Sequence, residues 1–124
     1  MDGLLVWVYG FNLILLIIHE MDSAYWHEWK LFNLKGGIEG FLIIHIPMLA
    51  AFFYGFIEVF KMSLMGIIFS IILSIIGIGA FFIHRYFIKK GHEEFTTPVS
   101  QGILQSVLVV SIIQLAFTIY ILIK

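Results

Sequence analysis

Four apolar runs, at about residues 3–22, 38–60, 63–84 and 100–123, take up most of this 124-residue chain. Helical residues rise about 1.5 Å each and a bilayer core is about 30 Å thick, so the last three runs are long enough to cross. The first falls short when counted only from Leu4 to Ile18. His19, Glu20 and Asp22 must then complete that span at the membrane boundary. These runs predict an all-α, single-domain bundle of four transmembrane helices running up-down-up-down over residues 1–124. Composition agrees, because 61% of residues are hydrophobic and only 12% are charged. A soluble domain of this size has too little interior to hide that much apolar surface. In lipid the demand disappears.

The remaining composition mainly excludes. A net charge of −1 gives no basis for a nucleic-acid partner. The chain has no Cys, which rules out disulfides, thiolate metal sites and thiol redox chemistry. The opening "MDGLLVWVYG" has an acidic residue, no basic n-region and no A-x-A-like site after it, so a retained helix is expected rather than a signal peptide.

The connections are 23–37, a tight turn near Lys61–Met62, and 85–99. Gly36-Gly37 and Pro98 punctuate the starts of the second and fourth spans. The two longer connections hold Lys30, Lys35, Arg85, Lys89 and Lys90, against Lys61 and Lys124 on the other side. The positive-inside rule therefore predicts cytoplasmic long connections and both termini outside. Glu20, Asp22, Glu28 and Glu39 dilute that bias, but acids count little in the rule.

Ionisable groups then concentrate at one end of the bundle. Asn12, His19, Asp22 and Trp26 share one face of a continuous first helix. Gly66, Ser70, Ser74, Gly77 and Ala80 form a small-residue stripe that His84 continues, which aims His84 into the bundle. His45 precedes Pro47, whose ring frees the carbonyl of Ile43. Gln101 and Gln105 form an i,i+4 pair at the start of the fourth span. A single His at a helix end is usually interfacial, and Trp7, Tyr25, Trp26, Trp29 and Tyr86 read as interface anchors. Glu58 with Lys61 reads as a boundary ion pair, and Gln114 and Thr118 as helix-packing groups. His19, Asp22, His45 and His84 resist that reading best, since unpartnered ionisable groups in a membrane are costly.

Neutral imidazoles with a carboxylate suit a divalent transition metal, Zn, Fe or Mn. The expected ligands are His19, Asp22, His45 and His84. Asn12, Glu20, His27, Gln101 and Gln105 are expected to act behind them or as a proton relay. The "HE" pairs at 19–20, 27–28 and 92–93 are not zincin motifs, because none reads H-E-x-x-H. Two other readings use the same residues: a small transporter or proton-coupled component without metal, and a non-catalytic accessory subunit. The bilayer is the first partner, with a second copy or another membrane protein as further candidates. Whether the chain is an enzyme stays open.

Small multidrug transporters carry a Glu in the middle of their first helix, where this chain reads "YGFNLILLII". The Gly-rich and Arg motifs of fluoride channels are also missing. The stretch "HEMDSAYWHEWKLFNLKGGIEGFLIIHIP", residues 19–47, resembles an uncharacterised family of small bacterial four-helix membrane proteins with the pattern HExDxxYWxEWxLFxLxGGIxxFLxxHxP. The resemblance implies the four-span fold, in a bacterial inner membrane, and no activity.

Overall fold

The computed structural model describes residues 2–124. It contains α1 (Asp2–Tyr25), α2 (Glu28–Leu31), α3 (Gly37–Phe60), α4 (Leu64–Lys89) and α5 (Pro98–Ile123), with no strand among the described residues. The four longer helices are each long and apolar enough to cross a membrane.

The helix ends follow local chemistry. Thr97 caps α5 by accepting from the Ser100 amide at 3.1 Å, and Pro98 occupies the first turn, where no amide donor is needed. Ser63 caps α4 by accepting from the Gly66 amide at 3.0 Å and donates to Glu58 Oε2 at 2.6 Å, while Lys61 holds the other carboxylate oxygen at 2.8 Å. Two helices outrun their apolar segments. α1 continues to Tyr25 and α4 to Lys89. Charge does not stop a helix, whereas Gly91, at φ 96°, terminates α4 as a left-handed glycine past the last turn. The connection 23–37 also folds, giving the single-turn α2.

Around the bundle, α1 packs on α3 and α5, and α4 packs on α3 and α5. Leu5, Tyr9, Leu13 and Leu16 recur at helical spacing along α1 and bury against Phe52, Val59, Ile67 and Leu73. Tyr9 donates its hydroxyl to the Phe52 carbonyl at 2.8 Å. A buried polar spine ties three helices together. Asn12 donates to Ser111 Oγ at 3.0 Å and Gln114 Oε1 at 2.9 Å, and Gln114 donates to the Ser70 carbonyl at 3.0 Å. Ser70 and Thr118 share a hydroxyl contact of 2.7 Å. Each of these buried groups is paired, which is the condition for tolerating them in an apolar bundle. The α4–α5 crossing is so close that a Cβ on Gly77 would overlap Ser111 Oγ.

Candidate functional site

His19 comes from α1 and His84 from α4, 1% and 3% exposed respectively. Their rings meet edge to face with centroids 4.7 Å apart. Glu28, the first residue of α2, brings Oε1 to 3.1 Å from His84 Nε2. One donor atom from each of His19, Glu28 and His84 lies within 4.8 Å of the others.

Chain reversal makes this possible. If α1 continued straight, residue 28 would lie about 13.5 Å beyond His19. Instead His27 adopts a left-handed conformation (φ 55°, ψ 53°), the helix stops, and α2 turns back over the end of the bundle. Trp29, buried beside it, stacks on His27 with centroids 5.0 Å apart and packs against Phe41. These contacts hold Glu28 in place.

The imidazole protons are set by geometry. His84 Nδ1 lies 2.7 Å from the Ala80 carbonyl, which can only accept, so Nδ1 carries the proton. In the neutral ring Nε2 then presents a lone pair toward Glu28. His19 Nδ1 is buried without a hydrogen-bond partner, and His84 Nε2 meets only the Glu28 oxygen, at ion-pair distance but outside hydrogen-bond geometry. Orphaned buried polar atoms are costly. A cation between them and a carboxylate would remove that cost. Burial pushes the Glu28 carboxyl up, but the adjoining His84 imidazole, aided by His19 and the Ser23 hydroxyl, outweighs it and holds Glu28 below the usual carboxylate range.

Phe95 closes the far side of the pair, with ring centroids 5.7 Å from His19 and 4.4 Å from His84. Gln101 Nε2 donates to the Phe95 carbonyl at 2.6 Å and so holds that cover in place. On the other side, a cavity of about 260 Å³ is lined by His19, Glu20, Glu28, Phe32 and His84 together with apolar residues of α4.

The other residues singled out in the sequence have different surroundings. Asp22 Oδ1 accepts from Trp26 Nε1 at 3.0 Å, and its Oδ2 is buried without a partner. His45 Nδ1 donates to the Phe41 carbonyl at 2.6 Å, and its Nε2 lies 2.6 Å from Glu20 Oε2. Those two form a separate pair. Asn12 belongs to the polar spine. His27 serves the turn into α2, and Gln105 lies exposed on an outer groove with Phe11. Glu28 and Phe95 are the residues that sequence reasoning missed. For Glu28 a signal existed, the "HE" pair at 27–28, but its value depended on a reversal at a non-glycine residue.

Two imidazoles and one carboxylate, all nitrogen and oxygen donors, match the set used by divalent transition metals and leave a coordination position free. Such a centre can polarise a bound oxygen or lower the pKa of a bound water.

Fold and site together define an all-helical protein with four helices suited to spanning a membrane and a buried His/Glu group at one end. The chain belongs to the family of unknown function DUF6713, whose sequence model matches residues 5–121. That match extends far beyond the stretch 19–47. No curated protein and no solved structure matches the chain.

Proposed function

We propose that this chain is a four-span protein of the bacterial inner membrane that holds a divalent transition metal (Zn, Fe or Mn) through His19, Glu28 and His84. The observation that carries the reading is the convergence of one donor atom from each of His19, Glu28 and His84 within 4.8 Å, with a buried nitrogen lacking a hydrogen bond on each imidazole. Asp22, one turn from His19 with a free buried oxygen, adds negative field beside the cation. The spans alternate in direction, and the centre lies at the cytoplasmic end with the two longer, Lys/Arg-richer connections. Metal analysis of protein purified without chelators tests this: one equivalent of metal in the wild type, and little in His84→Ala. A metal-free wild type overturns it.

The Glu20–His45 pair favours a second reading, proton transfer without metal. A contact of 2.6 Å, with His45 Nδ1 already donating to a carbonyl, requires one proton between the carboxylate and Nε2. This pair lies beside the metal site and is compatible with either chemistry.

A further inference from the structure

The cavity over the His/Glu group has a wall that packing does not explain. Gly79 lies inside α4, where glycine weakens a helix. The other α4 glycines have a packing reason: a Cβ on Gly66 would overlap the backbone of Glu58, and one on Gly77 would overlap Ser111. A Cβ on Gly79 would meet nothing within 4 Å. Its missing side chain instead leaves a notch in the wall of the cavity, between Ile76 and Ile83.

That notch opens on the apolar surface of α4. Ile76 and Ile83 are exposed, and both belong to a helix of membrane-spanning character, so lipid is the medium they face. A second cavity of about 370 Å³ shares Glu20, Glu28 and Phe32 with the first and extends along Phe41, Ile44 and Met48 of α3. Apart from Glu20, Glu28, Lys35 and the imidazoles of His19, His45 and His84, the walls of both cavities are apolar. A small hydrophilic ligand would find few hydrogen-bond partners along this route, whereas an acyl chain would find continuous apolar walls.

Charge identifies the head of the ligand. A divalent cation with two neutral imidazoles and the Glu28 carboxylate keeps a net charge of +1. The Glu20–His45 pair, which shares one proton, is neutral, and the Lys35 ammonium on the wall of the second cavity offsets the Asp22 carboxylate. In apolar surroundings that excess favours an anionic oxygen in the free coordination position. We propose that the site takes a single-chain anionic amphiphile, a fatty carboxylate, which enters sideways from the bilayer over Gly79. Its carboxylate binds the metal and its chain lies in the apolar space. This rests on the metal reading above.

The test uses the whole chain in a non-ionic detergent, loaded with Co²⁺ as a coloured probe and titrated with dodecanoate or acetate. Dodecanoate should shift the Co²⁺ absorption at about 100-fold lower concentration than acetate, as expected from burying three or four methylenes. Gly79→Leu, which fills the notch, should bind Co²⁺ normally and lose most of that preference. Gly79→Ala should lose part of it, and serves if the Leu variant folds poorly. Wild-type protein that takes up no Co²⁺ overturns the metal reading and this one with it. Normal Co²⁺ uptake with equal response to the two anions overturns only the present inference. So does a preference that survives unchanged in both Gly79 variants, since chain partition into the micelle alone would then account for it.

Discussion

His84 donates its Nδ1 proton to the carbonyl of Ala80, four residues earlier on α4, across 2.7 Å. This bond turns the ring so that Nε2, and not Nδ1, faces Glu28 and His19. His45 uses the same device with Phe41 on α3 and points its Nε2 at Glu20. In both cases the preceding helical turn fixes the tautomer, as carbonyls do for many metal-binding histidines. The bonds differ in what they aim at: a paired carboxylate at His45, and an unsatisfied cluster at His84.

The two imidazoles should therefore differ in what their removal does to the metal. Metal affinity in His84→Ala should fall by more than about 100-fold, beyond the usual loss for residues that only orient a ligand. His45→Ala should keep the metal within about 10-fold. Metal-free His84→Ala should also lose stability, because the substitution leaves the Glu28 carboxylate without the imidazole that holds it. Calorimetric metal titration and thermal unfolding in detergent check these outcomes. Equal metal loss in the two variants would place His45 among the ligands.

Acid should destabilise the metal-free protein through Glu28. Its folded carboxyl titrates below the ordinary range, so the folded state favours the carboxylate. The stabilisation is fully present above the unfolded value of about 4.3 and fades as pH falls through the lower folded value. The melting temperature of the wild type should thus drop across this acidic window, and Glu28→Gln should show a shallower drop. Identical pH profiles would mean that Glu28 does not feel the histidines.

The two neighbouring glycines of α4 should respond oppositely to bulk. Gly77→Leu should cost at least about 1–3 kcal/mol, since its side chain must displace Ser111 and separate α4 from α5. Gly79→Leu should be neutral or stabilising, because it adds helix propensity into open space. Ile76→Leu supplies a conservative reference and should stay near wild type. Thermal stability of the three variants in one detergent decides the matter.

The fold was legible in the sequence because spans are set by length and hydropathy, and lipid leaves few alternatives to helices. The stripe of Gly66, Ser70, Ser74 and Gly77 likewise pointed His84 inward, and His84 is buried. Helix ends were less legible. α4 passes Arg85 and stops only at Gly91, because the solvated side chains of Arg85 and Lys89 do not oppose helical backbone. The site was half legible. His19 and His84 lie on spans whose facing can be counted, whereas Glu28 depends on the left-handed turn at His27. Phe95 also has positive φ, at 66°. Non-glycine residues seldom adopt that conformation, and nothing in their identity announces it. The carboxylate therefore comes from a connection between spans, 23–37, and not from a span.

The polar spine should prove separable from the His/Glu site. Asn12 shares a helix face with His19, yet its amide is spent on Ser111 and Gln114, whose other contacts lead to Ser70 and Thr118. In Asn12→Leu, Gln114 Oε1 loses its donor and Ser111 its partner within an apolar bundle. Interhelical hydrogen bonds in membranes contribute about 0.6 kcal/mol on average and up to about 1.7. Two lost together should cost roughly 1–2 kcal/mol. Metal content per folded protein should stay unchanged, because no spine residue lines the cavity over His19 and His84. Unfolding measurements paired with metal analysis separate the outcomes. A loss of metal at unchanged stability would mean that Asn12 acts on the site directly and not through packing.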